Sequence, residues 1–293
     1  VVLLVTVLQI VAPVFILAAI GFTWVKVGFE YRIGFVTQLS MTLSVPCLVF
    51  VALMQADIDR SVLTKVFLAS CVAYLAVTVV FFILVKVAGL SQRTFLAPLI
   101  FGNTGNLGLP LALFAFGQTG LSYAIVIFAV MAVYSFTFGI WLVSGGGGFF
   151  KVLKEPMVGA TLLGALFLYQ GWQTPEWLTN ALKLVGDMAI PLMLITLGVA
   201  LARLKPQNFG RAGLLAVVKA IICTGIAWGV GLYFELDSIG LAVLVMQIAT
   251  PVAVTSYLLA EKYGADASEV AGLVVVSTLL SVVTIPLTLA FFV

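Results

Sequence analysis

Apolar residues run along this chain in ten blocks, separated by short polar or glycine-containing breaks. The blocks lie near residues 2–25, 33–54, 62–85, 94–116, 121–143, 157–170, 177–202, 212–234, 239–260 and 268–292. About 20 apolar residues in a helix cross the hydrocarbon core of a bilayer. The pattern therefore predicts an all-α membrane protein with ten transmembrane helices. No small-residue cleavage site follows the first block, so it reads as a span and not as a signal peptide. Trp24, Tyr31, Tyr169, Trp172, Trp177, Tyr233 and Tyr263 fall at block ends, where amphipathic aromatic rings settle at the membrane interface.

The fourth block is the one that breaks its own pattern. It contains Gly102-Asn103-Thr104-Gly105-Asn106-Leu107-Gly108-Leu109-Pro110. Three glycines and a proline in nine residues cannot continue a regular helix. Backbone that breaks at membrane depth is tolerated only where protein or a water-filled cavity satisfies it. The ninth block is interrupted at mid-span too, at Thr250-Pro251. If each helix breaks there, near Gly105 and near Pro251, and restarts at its proline, two helix N-termini meet at the midplane. Their unpaired amides and positive dipole ends favour an anion. Each proline also frees the carbonyl four residues back, that of Asn106 for Pro110 and that of Gln247 for Pro251. The candidate substrate-binding residues are Asn103, Thr104, Gly105, Asn106, Pro110, Gln247, Thr250 and Pro251. The competing reading is a pair of packing kinks whose amides bond to neighbouring helices.

The two halves of the chain share landmarks. Pro13 with Gly21 matches Pro156 with Gly164 at an offset of 143, Pro46 matches Pro191 at 145, and Pro110 matches Pro251 at 141. A run of glycines, 145–148, stands between the halves as a flexible linker. These features predict a first five-helix repeat over residues 1–143, a linker over 144–156 and a second repeat over 157–293. Five is odd, so the second copy enters the membrane inverted, as in secondary transporters.

Charge sets the orientation. Lys26, Arg32, Lys86, Arg93, Lys151, Lys154, Arg203, Lys205, Arg211 and Lys262 fall in the loops after spans one, three, five, seven and nine; the opposite loops carry Arg60 and Lys65. The positive-inside rule places the first set in the cytoplasm. Both termini then face away from it, in a multi-pass protein of the cell inner membrane. Charges inside spans are few and therefore informative. Lys183 and Asp187 are four apart on one face of span seven, Asp187 near the midplane with its carbonyl freed by Pro191, and Lys219 lies in span eight. These three are the candidate coupling residues, with Asp187 carrying a proton or cation and a lysine as its partner. The alternative is a structural ion pair, with Lys219 snorkelling to the interface. Asp57, Asp59, Glu235, Asp237, Glu261, Asp266 and Glu269 sit at span ends and read as solvated. Ser40, Thr42 and Ser44 precede Pro46 and are expected to bond their own backbone.

Composition narrows the function further. Of 293 residues, 63% are hydrophobic and 9% charged, with a mean hydropathy of +1.26, whereas soluble domains carry about 25% charged residues. A net charge of +3 is too small to suggest nucleic acid. The chain has no histidine, which excludes a histidine-ligated metal, a Ser-His-Asp triad and a histidine relay. Cys47, Cys71 and Cys223 each lie within an apolar run and read as free buried thiols. No Gly-Lys-Ser/Thr follows the glycine run, so it is not a P-loop and an ATP-driven pump is not expected. No nucleophile–base pair is visible. The reading is not an enzyme, with no cofactor and no metal.

Asn103-Thr104 with Gly108-Leu109-Pro110, the run Pro-Val-Ala-Val-Thr-Ser-Tyr-Leu-Leu-Ala-Glu-Lys-Tyr (251–263) and the run Leu-Ser-Val-Pro-Cys-Leu-Val-Phe (43–50) together resemble the auxin efflux carrier family. Its members include bacterial permeases for malate and malonate and the plant auxin exporters. The resemblance implies the fold of the bile acid–sodium symporters, with two inverted repeats and broken, crossing helices four and nine. Scaffold helices one, two, six and seven would slide against transport helices three to five and eight to ten. It implies that Asn103, Pro110 and Pro251 meet a substrate carboxylate. The long cytoplasmic loop of many plant members is absent, which favours a bacterial-type permease. Span nine has no acidic residue before Glu261, so the sodium site of the bile acid symporters has no counterpart there. The expected function is secondary transport of small organic anions by alternating access. A channel or receptor on the same fold is the alternative. Proton or sodium coupling and a homodimer remain open.

Overall fold

The computed structural model describes residues 2–56, 60–144, 156–204 and 208–292. Asp57, Asp59, Lys205 and the glycine linker with Lys151 and Lys154 lie outside the described residues. The described chain is all-helical, and two backbone breaks divide what would otherwise be continuous apolar helices.

In chain order the helices are α1 (Val2–Lys26), α2 (Ile33–Leu39), α3 (Val45–Met54), α4 (Arg60–Val87), α5 (Gln92–Ile100), α6 (Leu109–Tyr134) and α7 (Ile140–Ser144). The second half holds α8 (Pro156–Gln170), α9 (Glu176–Asp187), α10 (Ala189–Arg203), α11 (Phe209–Tyr233), α12 (Ser238–Ile248), α13 (Val254–Tyr263) and α14 (Ala267–Leu289). Single π-helical turns, Ser40–Ser44, Thr104–Gly108 and Ser135–Gly139, join α2 to α3, lead into α6 and join α6 to α7. Proline explains one of these joins: Pro46 closely follows the Ser40–Ser44 π turn in a helix that runs on from α2, and its missing N–H leaves the hydrogen-bond ladder open there. Within α6, Gly117 adopts φ 61° and ψ −151°. A left-handed φ of this kind is open chiefly to glycine, so the chain turns there between two helical segments.

Seven helical stretches among the described residues are long and apolar enough to cross a membrane, and Gly159–Gln170 and Ser238–Ile248 are shorter apolar helices. With outward faces such as Leu75, Val79 and Ile83 of α4 bare of partners, this is a multi-pass membrane protein. Trp24, Tyr169, Trp172, Trp177 and Tyr233 are exposed near helix ends, as the sequence predicts. Tyr31 instead turns inward, its hydroxyl 2.8 Å from that of Thr196.

Packing sorts the helices into two groups. In the first, α1 lies along α10, and α3 lies against α8 and α9. The α1–α10 contact is a backbone contact: a β-carbon at Gly198 would sit 1.7 Å from the carbonyl oxygen of Ala18. Small residues permit this approach, which dispersion then stabilises in the absence of a hydrophobic driving force between helices. In the second group, α11 packs on α12 and α14, while α4 packs on α5 and α6.

The basic loop residues gather at one end of the bundle. Arg93 donates to the carbonyls of Val143 (2.7 Å) and Tyr263, tying together the chain before α5 and the ends of α7 and α13. Arg203 donates to the carbonyl of Tyr31. Glu269 is not solvated, as its place at a span end suggested. It is buried, accepts from the Arg211 guanidinium and from Asn208 Nδ2, and the Arg211 guanidinium lies 5.5 Å from the Phe95 ring centroid. A carboxylate can stay at such depth because two donors replace its water.

Candidate functional site

The two broken segments meet. The residues Phe101–Asn103 leave the helix after α5, and the residues 249–253 leave it after α12. Gly102 and Val252 form an antiparallel bridge. The amide of Asn103 donates to the carbonyl of Pro251 at 2.7 Å. The amide of Val252 donates to Ser277 Oγ of α14 at 3.0 Å. Backbone groups released from two helices are thus satisfied by each other and by one serine, as buried backbone requires.

Glycine makes the crossing possible. A β-carbon at Gly102 would lie 2.1 Å from Thr250 Oγ1 and 3.0 Å from its carbonyl oxygen. The break therefore falls at Gly102, three residues before the expected Gly105. Gly105 instead lies in the π turn against the ring of Phe128, which a β-carbon would meet at 3.0 Å. Neither helix restarts at its proline: the first resumes at Thr104, in the π turn that runs on into α6 and precedes Pro110, and in the second Pro251 lies in the extended segment while α13 begins at Val254. Nor is the Gln247 carbonyl free. The hydroxyl of Thr250 donates to it at 2.7 Å, occupying the place left by the missing proline N–H.

The side chains of the crossing are buried and underused. Asn103 is 4% exposed and Thr104, Gln247 and Thr250 are 0% exposed. Asn103 Nδ2, Thr104 Oγ1 and both terminal atoms of Gln247 have no hydrogen-bond partner. An unmade hydrogen bond at a buried polar group costs about 1–3 kcal/mol, so four such atoms at one crossing are a deficit that a polar ligand would relieve. Asn106 is only half-buried, so the two asparagines are not equivalent. Of the span-two hydroxyls, Thr42 bonds the backbone of Gln38 as expected, while Ser40 and Ser44 are buried with no partner.

The charged candidates occupy two separate places. Lys219 does not snorkel. It is 2% exposed in α11 and donates to the carbonyl of Leu99 at 2.9 Å, with Cys223 Sγ at 3.9 Å. In an unbroken helix the Leu99 carbonyl would accept from the amide of Asn103, which here goes to Pro251. The ammonium thus caps the carbonyl end of α5, where positive charge is favoured. Lys183 and Asp187 lie elsewhere, on α9. Both are exposed, and among the described residues they form no ion pair with each other or with Lys219. Both line a cavity of about 570 Å³ shared with Gln55, Gln118 and Ser122. Leu113 and Phe114 of α6, about one turn beyond Pro110, form part of its wall. Gln118 was missed in the sequence, although Gln118-Thr119 after Gly117 is a polar pair between two apolar runs.

Residues 149–289 match the family model described as membrane transport protein. The match covers just under half of the chain. The matched residues include the 251–263 run of span nine. The chain is 28% identical over 193 residues to an "Uncharacterized transporter" of Methanothermobacter thermautotrophicus, covering 63% of each chain. It is 26% identical over 200 residues to one of Methanocaldococcus jannaschii, covering 64% of each. It is 23% identical over 200 residues to a "Putative malonate transporter" of Rhizobium meliloti, covering 63% of this chain and 62% of that one. Each match spans less than two thirds of the relative.

Proposed function

We propose that this protein is a secondary transporter of small carboxylates that works by alternating access, with its substrate site at the crossing of the two broken helices. The observation that carries this reading is the Gly102–Val252 bridge with the unpartnered amides of Asn103 and Gln247 beside it. Neutral amides and helix starts can hold an anion without an arginine. The name of the Rhizobium relative adds a dicarboxylate to the candidates.

The same reading holds that ten segments cross the bilayer as two inverted repeats. Three features support it. The turn at Gly117 divides the longest apolar stretch into two crossings. The broken segments α5–α6 and α12–α13 each count as one. The contacts also exchange under the repeat: α1 with α10 (spans one and seven) corresponds to α8 with α3 (spans six and two). These four spans are the scaffold of the proposal, and α4–α7 with α11–α14 form the moving unit. The clustering of Arg93, Arg203 and Arg211 at one end supports a cytoplasmic assignment for that end, with the termini opposite, in a cell inner membrane.

The test is uptake into proteoliposomes. Carboxylate influx should saturate, and unlabelled carboxylate loaded inside should accelerate uptake of labelled carboxylate by counterflow. Flux that stays linear with concentration and shows no counterflow would mean a channel.

A further inference from the structure

The cavity on α9 is chemically unlike the crossing. Among its described lining residues it carries one cation, Lys183, and one anion, Asp187, with the neutral groups of Gln55, Gln118, Thr119 and Ser122 around them. Lys183 and Asp187 are four apart on one helix, a spacing that brings side chains together readily, yet they make no ion pair. Asp187 stands at the junction of α9 and α10. Neither residue is held in place by a structural partner.

We propose that this cavity binds a short linear zwitterion, an amino acid whose carboxylate meets Lys183 and whose ammonium meets Asp187. The charge pattern selects this class. A dicarboxylate satisfying Lys183 would bring its second carboxylate toward Asp187, and a diamine would bring its second ammonium toward Lys183. A ligand with one charge of each sign satisfies both. Side chains four apart on a helix have β-carbons about 5–6 Å apart, which suits charges separated by a few carbons. At about 570 Å³ the space falls within the range of small-molecule sites, about 300–1,000 Å³, and leaves room for water beside the ligand. The wall formed by Leu113 and Phe114 brings the bound molecule close to the start of α6. The cavity is thus a capture site leading to the crossing. That last step rests on the transport reading, whereas binding in the cavity does not.

Three probes of equal chain length separate the charge classes: succinate, 4-aminobutanoate and 1,4-diaminobutane. Calorimetric titration of the purified full chain carrying Asn103→Ala, which weakens carboxylate binding at the crossing and leaves the cavity intact, should show 4-aminobutanoate binding tightest. Lys183→Ala and Asp187→Asn should each weaken it on the order of tenfold or more. Asp187→Asn should at the same time improve succinate binding. In that background, succinate preferred over 4-aminobutanoate and unaffected by Asp187→Asn would overturn the proposal, as would 4-aminobutanoate binding that neither α9 variant changes. If 4-aminobutanoate binds with the expected dependence while no carboxylate shows saturable uptake, the transport reading fails and the cavity assignment stands. Saturable carboxylate uptake together with no 4-aminobutanoate binding gives the reverse.

Discussion

The amide of Asn103 bonds to the carbonyl of Pro251 across 148 residues of chain, at 2.7 Å, and neither group is used by its own helix. Each break supplies what the other lacks, so neither is a local defect. The same bond withdraws the Asn103 amide from Leu99 and creates the acceptor that Lys219 fills. The Asn103 side chain is left over, buried and without a partner for its Nδ2.

Replacing that side chain separates binding from folding. Asn103→Ala removes no hydrogen bond from the Nδ2 atom in the free protein, so the thermal midpoint without substrate should not fall. A hydrogen bond to a charged ligand contributes about 1.5–3 kcal/mol, so carboxylate Kd should rise roughly ten- to a hundredfold. Titration and a melting curve on the same preparation check both. Unchanged Kd would remove Asn103 from the site.

What the sequence disclosed here follows from what is local. Glycine and proline announce broken helices because they act on their own backbone, and apolar run length announces spans because the bilayer has one thickness. The position of the break was not local. It depends on which glycine can lie against Thr250, and that is Gly102, while Gly105 accommodates Phe128. Lys219 was legible as unusual but not as a helix cap, because its acceptor exists only once α5 has ended. Glu269 was misread for a related reason. A span-end position says nothing about whether Arg211 and Asn208 will cover it.

Arg211 and Glu269 should respond unequally to substitution. The Glu269 side chain is 9% exposed and that of Arg211 44%. Arg211→Ala leaves a buried carboxylate with Asn208 as its remaining side-chain donor, and a buried charge stripped of its partner costs about 3–5 kcal/mol. Partial exposure brings the expected loss to the lower end. Glu269→Gln keeps an acceptor oxygen, and its guanidinium partner can turn to water, so about 1–3 kcal/mol is expected. Thermal midpoints should therefore rank wild type, then Glu269→Gln, then Arg211→Ala. The reverse order of the two variants would show that the carboxylate is better hydrated than its burial indicates.

Orientation is open to a direct experiment. Val87 and Glu176 are exposed at helix ends, Val87 near the arginine-rich end and Glu176 at the start of α9. In a background lacking Cys47, Cys71 and Cys223, Glu176→Cys should react with an impermeant maleimide on intact cells. Val87→Cys should react only after permeabilisation. Labelling of Val87→Cys on intact cells, with Glu176→Cys protected, would invert the assignment.

The two glycines that face span nine should behave differently, and the difference reads out what Gln247 does. At Gly102 the intruding methyl meets Thr250 Oγ1 at 2.1 Å and its backbone oxygen at 3.0 Å. That hydroxyl is short and already bonded to the Gln247 carbonyl, so the backbones themselves must separate. Overpacking of this kind costs about 1–3 kcal/mol, and Gly102→Ala should lower the melting temperature and abolish uptake. Gly213→Ala, where a methyl meets nothing within 4 Å, is the neutral control. At Gly108 the methyl meets only the far end of Gln247, Oε1 at 2.1 Å and Cδ at 2.7 Å. A terminal amide with no hydrogen bonds can swing aside, so Gly108→Ala should change stability little. If that amide holds substrate, its displacement should raise Kd by roughly tenfold. A double-mutant cycle then isolates the cause. In Gln247→Ala protein, which already lacks the amide, adding Gly108→Ala should have no further effect on Kd. Full additivity of the two losses would mean that Gly108 acts through the helix start and that Gln247 is not displaced at all.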